Sequence, residues 1–368
     1  MGRSGLAALA LLIGCDEAPR AGVTGLRGVL GESGDARGFE TADRVVEFAF
    51  PRDHGPHPRF RSEWWYLTAV LTAADGRTFG TQFTLFRQGL TPRATRGTPP
   101  SGAAAWRTGQ IYMAHFAVSD VATRRHLQAE RIARGHPALA GVTTAPFAAY
   151  LEDWRLESSG RDFLPLKLAA ATPEFDVALN LTGTKPIVLQ GEDGLSHKGP
   201  DNASYYYSMP RIDARGSVRI DGTRHAVVGK AWLDREWSTS VLAAEYAGWD
   251  WMALHLDDGR DLMVFRLRRI DGAPDRYGAG TLVAVNGDAT SLADGDYTLA
   301  VIDTWRGWPV GWELTLTGEP GERFLVEAAF EDQVMDTSVR YWEGVVSVRH
   351  GDGRPAGSGY LEMTGYEQ

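Results

Sequence analysis

A single cysteine, Cys15, stands in a chain of 368 residues. No internal disulfide can form, and the cysteine-rich class of zinc site is excluded. The histidines His54, His57 and His115 are too scattered to read as a metal site, so no metal is expected. Charge of one sign is also missing: 38 Lys and Arg stand against 47 Asp and Glu, for a formal net charge of -9. Without a basic stripe the chain has no footprint for nucleic acid. No apolar run approaches the ~20 residues of a spanning helix. No long amphipathic helix pattern is present, and none of Ser62, Ser196 or Ser238 sits in a Gly-x-Ser-x-Gly turn, which speaks against serine hydrolase chemistry.

Glycine and tryptophan are abundant, at 43 and 12 residues. Glycine-rich turns between short aromatic segments predict an all-β chain. Its length exceeds what one hydrophobic core usually fills, and two domains are expected. The start, "MGRSGLAALALLIGC", has a basic residue, a short apolar stretch and a small residue before Cys15. This is the plan of a secretory signal, and "LIGC" looks like a bacterial lipobox. On that reading residues 1–15 are a lipoprotein signal, Cys15 is lipidated, and residues 16–41 are a flexible tether. The body would then be anchored in the bacterial cell envelope, facing out of the cytoplasm. The alternative is a frayed terminus with a chance cysteine.

Two segments resemble each other. "WWYLTAVLTAADGRTFGTQFTLFR" and "WDWMALHLDDGRDLMVFRLRR" each have an aromatic start, an alternating strand, an Asp-Gly-Arg turn and a strand ending near Phe-Arg. Asp-Gly between alternating strands is a strong hairpin signal. The weak repeat predicts two related β domains, residues 42–210 and 211–368, with the boundary between 200 and 245. Residues 91–109 and 190–204 read as long loops. Strand alternation puts Glu63, Trp65, Leu67, Ala69 and Leu71 on one apolar, barrel-facing side, and Trp64, Tyr66, Thr68 and Val70 on a mixed side. In the second hairpin Met252, Leu254 and Leu256 are expected to share a face with Met263, Phe265 and Leu267. Asp250 heads that face as Glu63 heads the first.

Eight blocks carry a family resemblance: "HGPHPRFRSEWWYLTAVL", "AHFAVSDVATRRHLQAERIARG", "GLSHKGPDNASYYYSMPR", "GKAWLDREWSTS", "GWDWMALHLDDGRDLMVFRLRR", "TWRGWPVGWELTL", "YWEGVVSV" and "GYLEMTGYE". From about Arg44 onward the chain resembles the lipocalin-like, carotenoid 1,2-hydratase-related proteins, which include the bacterial AttH-type and "predicted secreted hydrolase" groups. The resemblance implies two tandem lipocalin-like antiparallel β-barrels packed together, and no required cofactor. It implies chemistry of the kind its relatives perform, hydration of isoprenoid double bonds or cofactor-free cyclisation. In the hydratase pattern the block matching "LDREW" carries His and Trp, and a later strand carries Tyr and Asp. Here those positions are Arg235, Trp237, Phe265 and Leu267, so that proton donor is replaced by an apolar wall.

Hydrating an unactivated alkene requires protonating carbon, and hence a carboxylic acid kept neutral near pH 7. Burial among aromatics does this, and aromatic faces stabilise the cation that forms. The candidate acids are Glu63, Asp234 and Glu236. Candidate ligand-binding residues are Trp65, Arg235, Trp237, Tyr206, His115 and Phe265. Each has a plainer reading: Glu63 in an ion pair with Arg59, Arg61, Arg87 or Arg235; Asp234 and Glu236 paired with Arg235 or Lys230; His115 bonded within the core; Tyr205, Tyr206 and Tyr207 simply packed. The expected function is binding of an apolar, isoprenoid or lipid-like molecule, with acid-assisted hydratase or isomerase activity. A non-catalytic lipophilic carrier is the alternative, and a secreted hydrolase ranks behind both.

Overall fold

The computed structural model describes residues 36–92, 109–240, 242–318 and 321–366. Cys15, the signal and most of the expected tether lie outside the described residues, as does most of the loop around Pro99. Among the described residues the only helix is one 3-10 turn, Arg52–His54, and the rest of the regular structure is antiparallel strand. The all-β expectation is met.

The first sheet contains β1 (Ser62–Ala73), β2 (Thr78–Gly89), β3 (Gln110–Asp120), β4 (Arg125–Arg134), β5 (Ala140–Thr144), β6 (Phe147–Leu151), β7 (Trp154–Ser158), β8 (Leu166–Ala171), β9 (Phe175–Gly183), β10 (Val188–Leu189), β11 (Leu195–His197), β12 (Ala203–Ile220) and β13 (Thr223–Ser238). Its order is β4-β3-β2-β1-β13-β12-β9-β8-β7-β6-β5, with β10 and β11 on β12. The second sheet contains β14 (Tyr246–Leu256), β15 (Asp261–Arg269), β16 (Ala279–Val283), β17 (Ala289–Leu292), β18 (Tyr297–Trp305), β19 (Trp308–Leu316), β20 (Glu322–Ala328), β21 (Val334–Asp336), β22 (Arg340–His350) and β23 (Pro355–Thr364). Its order is β17-β16-β15-β14-β23-β22-β20-β19-β18, with β21 on β22.

Each sheet curls round its own apolar core, the lipocalin-like plan. Trp65, Leu67, Phe83 and Trp237 belong to the first core, and Met252, Leu254, Trp312 and Trp342 to the second. A third apolar cluster joins the two sheets face to face, through Tyr66, Tyr206, Trp232, Trp251, Phe265 and Tyr360. The approach is close at Gly80, where an added Cβ would lie 2.2 Å from Val345 Cγ2.

Three sequence expectations need correction. The sheets divide between Ser238 and Tyr246, at the far end of the expected window of 200–245, so a boundary at residue 210 falls inside β12. The loop read over 190–204 carries β11 and the start of β12. The faces of the second hairpin were offset by one residue: Trp249 opposes Leu267, Trp251 opposes Phe265 and Ala253 opposes Met263, while Met252 opposes Val264 and Leu254 opposes Leu262. The cause is that β15 is buried on both sides, so its pattern has no polar face to fix the phase.

Candidate functional site

The central strands β1, β13 and β14 each serve two environments, because alternate side chains enter a barrel or the seam between sheets. On β13, Leu233 and Trp237 join the first core and Trp232 joins the seam. On β12, Tyr205 and Tyr207 join the core while Tyr206 turns to the seam. A register shift between Met209 and Ile212, beside Pro210, lets β12 leave β9 and carry Tyr206 and Ser208 alongside β13.

The barrel-facing residues form a closed ionic cluster. Glu63 is fully buried between two guanidiniums, with Arg87 Nε donating to Oε1 and Arg235 Nη2 donating to Oε2. The His57 backbone N–H adds a bond of 2.9 Å. Burial alone would raise the Glu63 pKa, but Arg87 and Arg235 hold it well below the usual carboxylate range. Arg235 lies 3.9 Å from the centre of the Trp65 ring, and His57 stacks on Trp237 at 3.8 Å. Glu63, Trp65, Arg235 and Trp237 therefore act together, but inside the first barrel. The second barrel repeats the device: Asp250 is fully buried, opposes Arg266 across β14 and β15, and is bonded by its Nε at 2.7 Å.

The cavity lies in the seam. Its walls include Trp64, Tyr66, Phe86, His115, Lys198, Tyr206, Asp234, Glu236, Trp249, Trp251, Phe265, Leu267, Tyr341 and Glu362. The structure thus brings Asp234, Glu236, Tyr206, His115 and Phe265 into one space, with Leu267 beside them, and keeps Glu63, Trp65, Arg235 and Trp237 out of it.

The cavity has an internal repeat. Across β13, β1 and β2 runs the row Glu236–Trp64–Phe86, and across β23, β14 and β15 runs the row Glu362–Trp251–Phe265. Each half of the molecule contributes a carboxyl, an indole and a phenyl ring in the same cross-strand order. The acid missing from the Phe265 and Leu267 wall is supplied two strands away by Glu362.

The carboxyls differ in their partners. Asp234 accepts from Tyr206 OH at 2.6 Å, Trp232 Nε1 at 2.6 Å and Ser208 Oγ at 2.5 Å. Burial nevertheless outweighs these bonds and pushes Asp234 up to about 7. Burial does the same to Glu362, also to about 7, although Trp249 Nε1 donates to it at 2.7 Å. Glu236 instead faces a cation, Lys198 Nζ, at 2.5 Å and accepts from Ser204 Oγ. That Lys198 Nζ also lies 5.3 Å from the centre of the Phe265 ring. The space combines acids that hold a proton near neutrality, an ion-paired carboxylate, and aromatic walls suited to a passing cation.

Sequence reasoning missed Glu362, Glu343 and the cavity-facing Trp64, Tyr66, Trp251 and Tyr341. The signal for the two acids was the one that had singled out Glu63, a lone carboxylate inside an apolar aromatic strand, present in "YWEGVVSV" and "GYLEMTGYE".

The sequence profile of the AttH-like family matches residues 41–366. The crystal structure of an AttH protein from Nitrosomonas europaea is similar at 33% identity and a TM-score of 0.77, over 89% of this chain and 100% of that one. Kievitone hydratase from Nectria haematococca shares the fold at 15% identity and a TM-score of 0.64, over 89% of this chain and 96% of that one. CghA, solved with Sch210972, shares it at 12% identity and a TM-score of 0.52, over 84% and 90% of the two chains. No curated protein matches closely enough to count as a relative.

Proposed function

The chain belongs to the AttH-like family, and from that premise and the geometry of the seam we propose that it is a cofactor-free, acid-assisted hydratase or isomerase. Its substrate is an apolar alkene of isoprenoid or lipid-like character, bound between the sheets. The observation that carries this reading is Asp234, a buried acid that retains a proton up to about pH 7 beside a cavity walled by tryptophan and tyrosine. Kievitone hydratase, which shares the fold, is by its name a hydratase.

The chemistry follows from the hydrogen bonds. In the protonated acid the bond between Asp234 Oδ2 and Tyr206 reverses, so that Asp234 donates to the phenol oxygen and the Tyr206 hydrogen turns to the cavity. The alkene π pair then takes the Tyr206 proton as Tyr206 takes that of Asp234. The cation left at the more substituted carbon is held against the faces of Trp64, Trp251 and Phe265. Water then adds to that carbon and loses a proton to a carboxylate, or a neighbouring C–H gives up its proton and the double bond has moved. Glu236, ion-paired to Lys198, is the base that either ending requires. Tethering to the cell envelope through Cys15 belongs to the same proposal and is supported by the opening sequence. Loss of palmitate labelling on Cys15→Ala is its expected test, and equal labelling of both chains would remove it.

The activity test uses deuterium. Purified protein is incubated in D2O with a panel of isoprenoid alkenes, and the recovered molecules are analysed by mass spectrometry. Carbon-bound deuterium is expected with the wild type and not with Asp234→Asn. An alkene that binds tightly yet never gains deuterium would leave the lipophilic carrier as the function.

A further inference from the structure

We propose that Glu130, His115, Tyr341 and Glu343 form a proton relay from the edge of the first sheet to the cavity, ending on Glu343 as a second acid. The inference rests on the proposed chemistry for its purpose, but not for its observations. Glu130 is on β4, with a side chain 20% exposed, whereas the side chain of His115 beside it on β3 is 1% exposed. His115 Nε2 and Glu130 Oε1 are 3.0 Å apart, and His115 Nδ1 and Tyr341 OH are 2.8 Å apart. Glu343 lies two residues along β22 on the same face as Tyr341, close enough to raise the Tyr341 hydroxyl's pKa, with no hydrogen bond formed between the two. Tyr66 OH donates to Glu343 Oε1 at 2.6 Å. Tyr66, His115 and Tyr341 all line the cavity. Protein from both sheets thus lines up four proton-carrying groups, hydrogen-bonded from Glu130 to Tyr341, with a turn of the Tyr341 hydroxyl completing the step to Glu343.

The polarity of the chain can be assigned. Burial would raise Glu130, but bonds from His115 and Ser338 bring it below its ordinary value, so it is the acceptor and Nε2 carries the hydrogen. Nδ1 then accepts from Tyr341. At the inner end burial drives Glu343 well above the usual carboxyl range, and Glu362 opposite it on β23 raises it further. Tyr66, Tyr341 and Tyr360, the other titratable groups facing it, are themselves raised by burial and stay neutral. Glu343 Oε2 has no fully formed hydrogen bond among the described residues, an arrangement that is costly for a buried carboxylate and suits the oxygen that carries the proton.

This is the relay after delivery. In the loading step a proton on Glu130 moves to Nε2, the Nδ1 proton moves to the Tyr341 oxygen, and the Tyr341 proton moves to Glu343. Three protons shift, the negative charge passes from Glu343 to Glu130, and the end state is the arrangement assigned above. With Asp234 and Tyr206 on one wall, and Tyr66 on another with Glu343 bonded behind it, two phenol-capped acids serve the cavity. Donation can then come from either of two sides of the bound alkene, with Glu236 removing the proton that an allylic isomerisation gives up.

The test needs no substrate. Infrared spectra of the full protein at pH 6 are followed by stopped-flow mixing into D2O. The neutral-acid carbonyl band of Glu343 is identified by its loss in Glu343→Gln and by its shift in Tyr66→Phe, which removes a bond but keeps the acid. Deuteration of that band is expected to slow by about tenfold or more in both Glu130→Gln and His115→Phe. The same rate in those variants as in the wild type overturns the relay, and so does the absence of a Glu343-dependent neutral-acid band. Either failure leaves Asp234 and the deuterium assay of the proposed activity untouched, and failure of that assay leaves the exchange result standing.

Discussion

Tyr206 donates its hydroxyl to Asp234 Oδ2 at 2.6 Å and itself accepts from Trp251 Nε1 of the second sheet at 3.2 Å. The acid, the phenol and the indole are thereby fixed to one another across the seam. Neither half of the molecule holds the complete group, so the reactive geometry depends on the two sheets being docked.

If Asp234 is the proton source, activity requires its protonated form. With its pKa pushed up to about 7, kcat/KM is expected to be level below that value and to fall tenfold per unit above it. Asp234→Asn keeps the hydrogen-bonding shape but holds no transferable proton, and its activity should drop by about 10²–10⁴-fold. A pH profile of wild type and variant on one substrate checks both. A profile with no limb near 7 would remove Asp234 from the role.

The same raised acids make stability depend on pH with an unusual sign. Asp234 and Glu362 are raised from ordinary values of 3.8 and 4.5 to about 7. Between about pH 4 and 7 these two groups therefore bind more protons in the folded state than in the unfolded chain, and their contribution to stability declines as pH rises through that window. Buried His54, His126 and His255, held below their ordinary value by desolvation, act in the opposite direction over part of it. Paired acids such as Glu63, held below their ordinary range, act in the opposite direction and matter only at lower pH. Urea unfolding from pH 5 to 8 should show stability rising more, or falling less, with pH in Asp234→Asn with Glu362→Gln than in the wild type. An unchanged slope in the double variant would show that these two groups do not titrate as described.

Much of this was legible in the sequence, and the rest was hidden for one physical reason. Alternation placed Glu63 and Trp65 on one side of β1 and Trp64 and Tyr66 on the other, as the structure has them. It could not say which side held the ligand space. A strand with one wet face advertises its core, but β1 and β15 are covered on both faces, and a second sheet looks like a core to any hydrophobicity pattern. The pattern therefore points to Glu63, whose side is the barrel interior, rather than to the seam. Asp234, Glu236 and Tyr206 were found because carboxylates and tyrosines crowd "LDREW" and "SYYYS". Glu343 and Glu362 sit far along the chain, and only sheet pairing brings them to β14 and β1.

Glu63 gives a prediction of another kind. Glu63→Gln leaves Arg87 and Arg235 buried without their shared counter-charge. Breaking a buried pair in this way costs roughly 3–5 kcal/mol, because the remaining cations stay desolvated. Urea denaturation of wild type and variant measures it. Binding of an alkene in the seam should be little changed in the fraction that remains folded, since Glu63 does not line that cavity. A variant as stable as the wild type would mean that the cluster is hydrated.

The neighbours Trp64 and Trp65 should separate stability from binding. Trp65 is 1% exposed in the first core, and its Nε1 donates to the His54 carbonyl at 2.9 Å. Trp65→Ala should cost about 3–5 kcal/mol, the usual range for a large buried aromatic. Trp64 lines the cavity and is only partly buried, so Trp64→Ala should cost less stability. It should instead weaken ligand binding and slow turnover, because it removes one of the rings that face the cation. Paired measurements of unfolding and of affinity for the same alkene decide the matter. Equal losses of stability and equal affinities in the two variants would overturn the assignment of opposite faces to opposite roles.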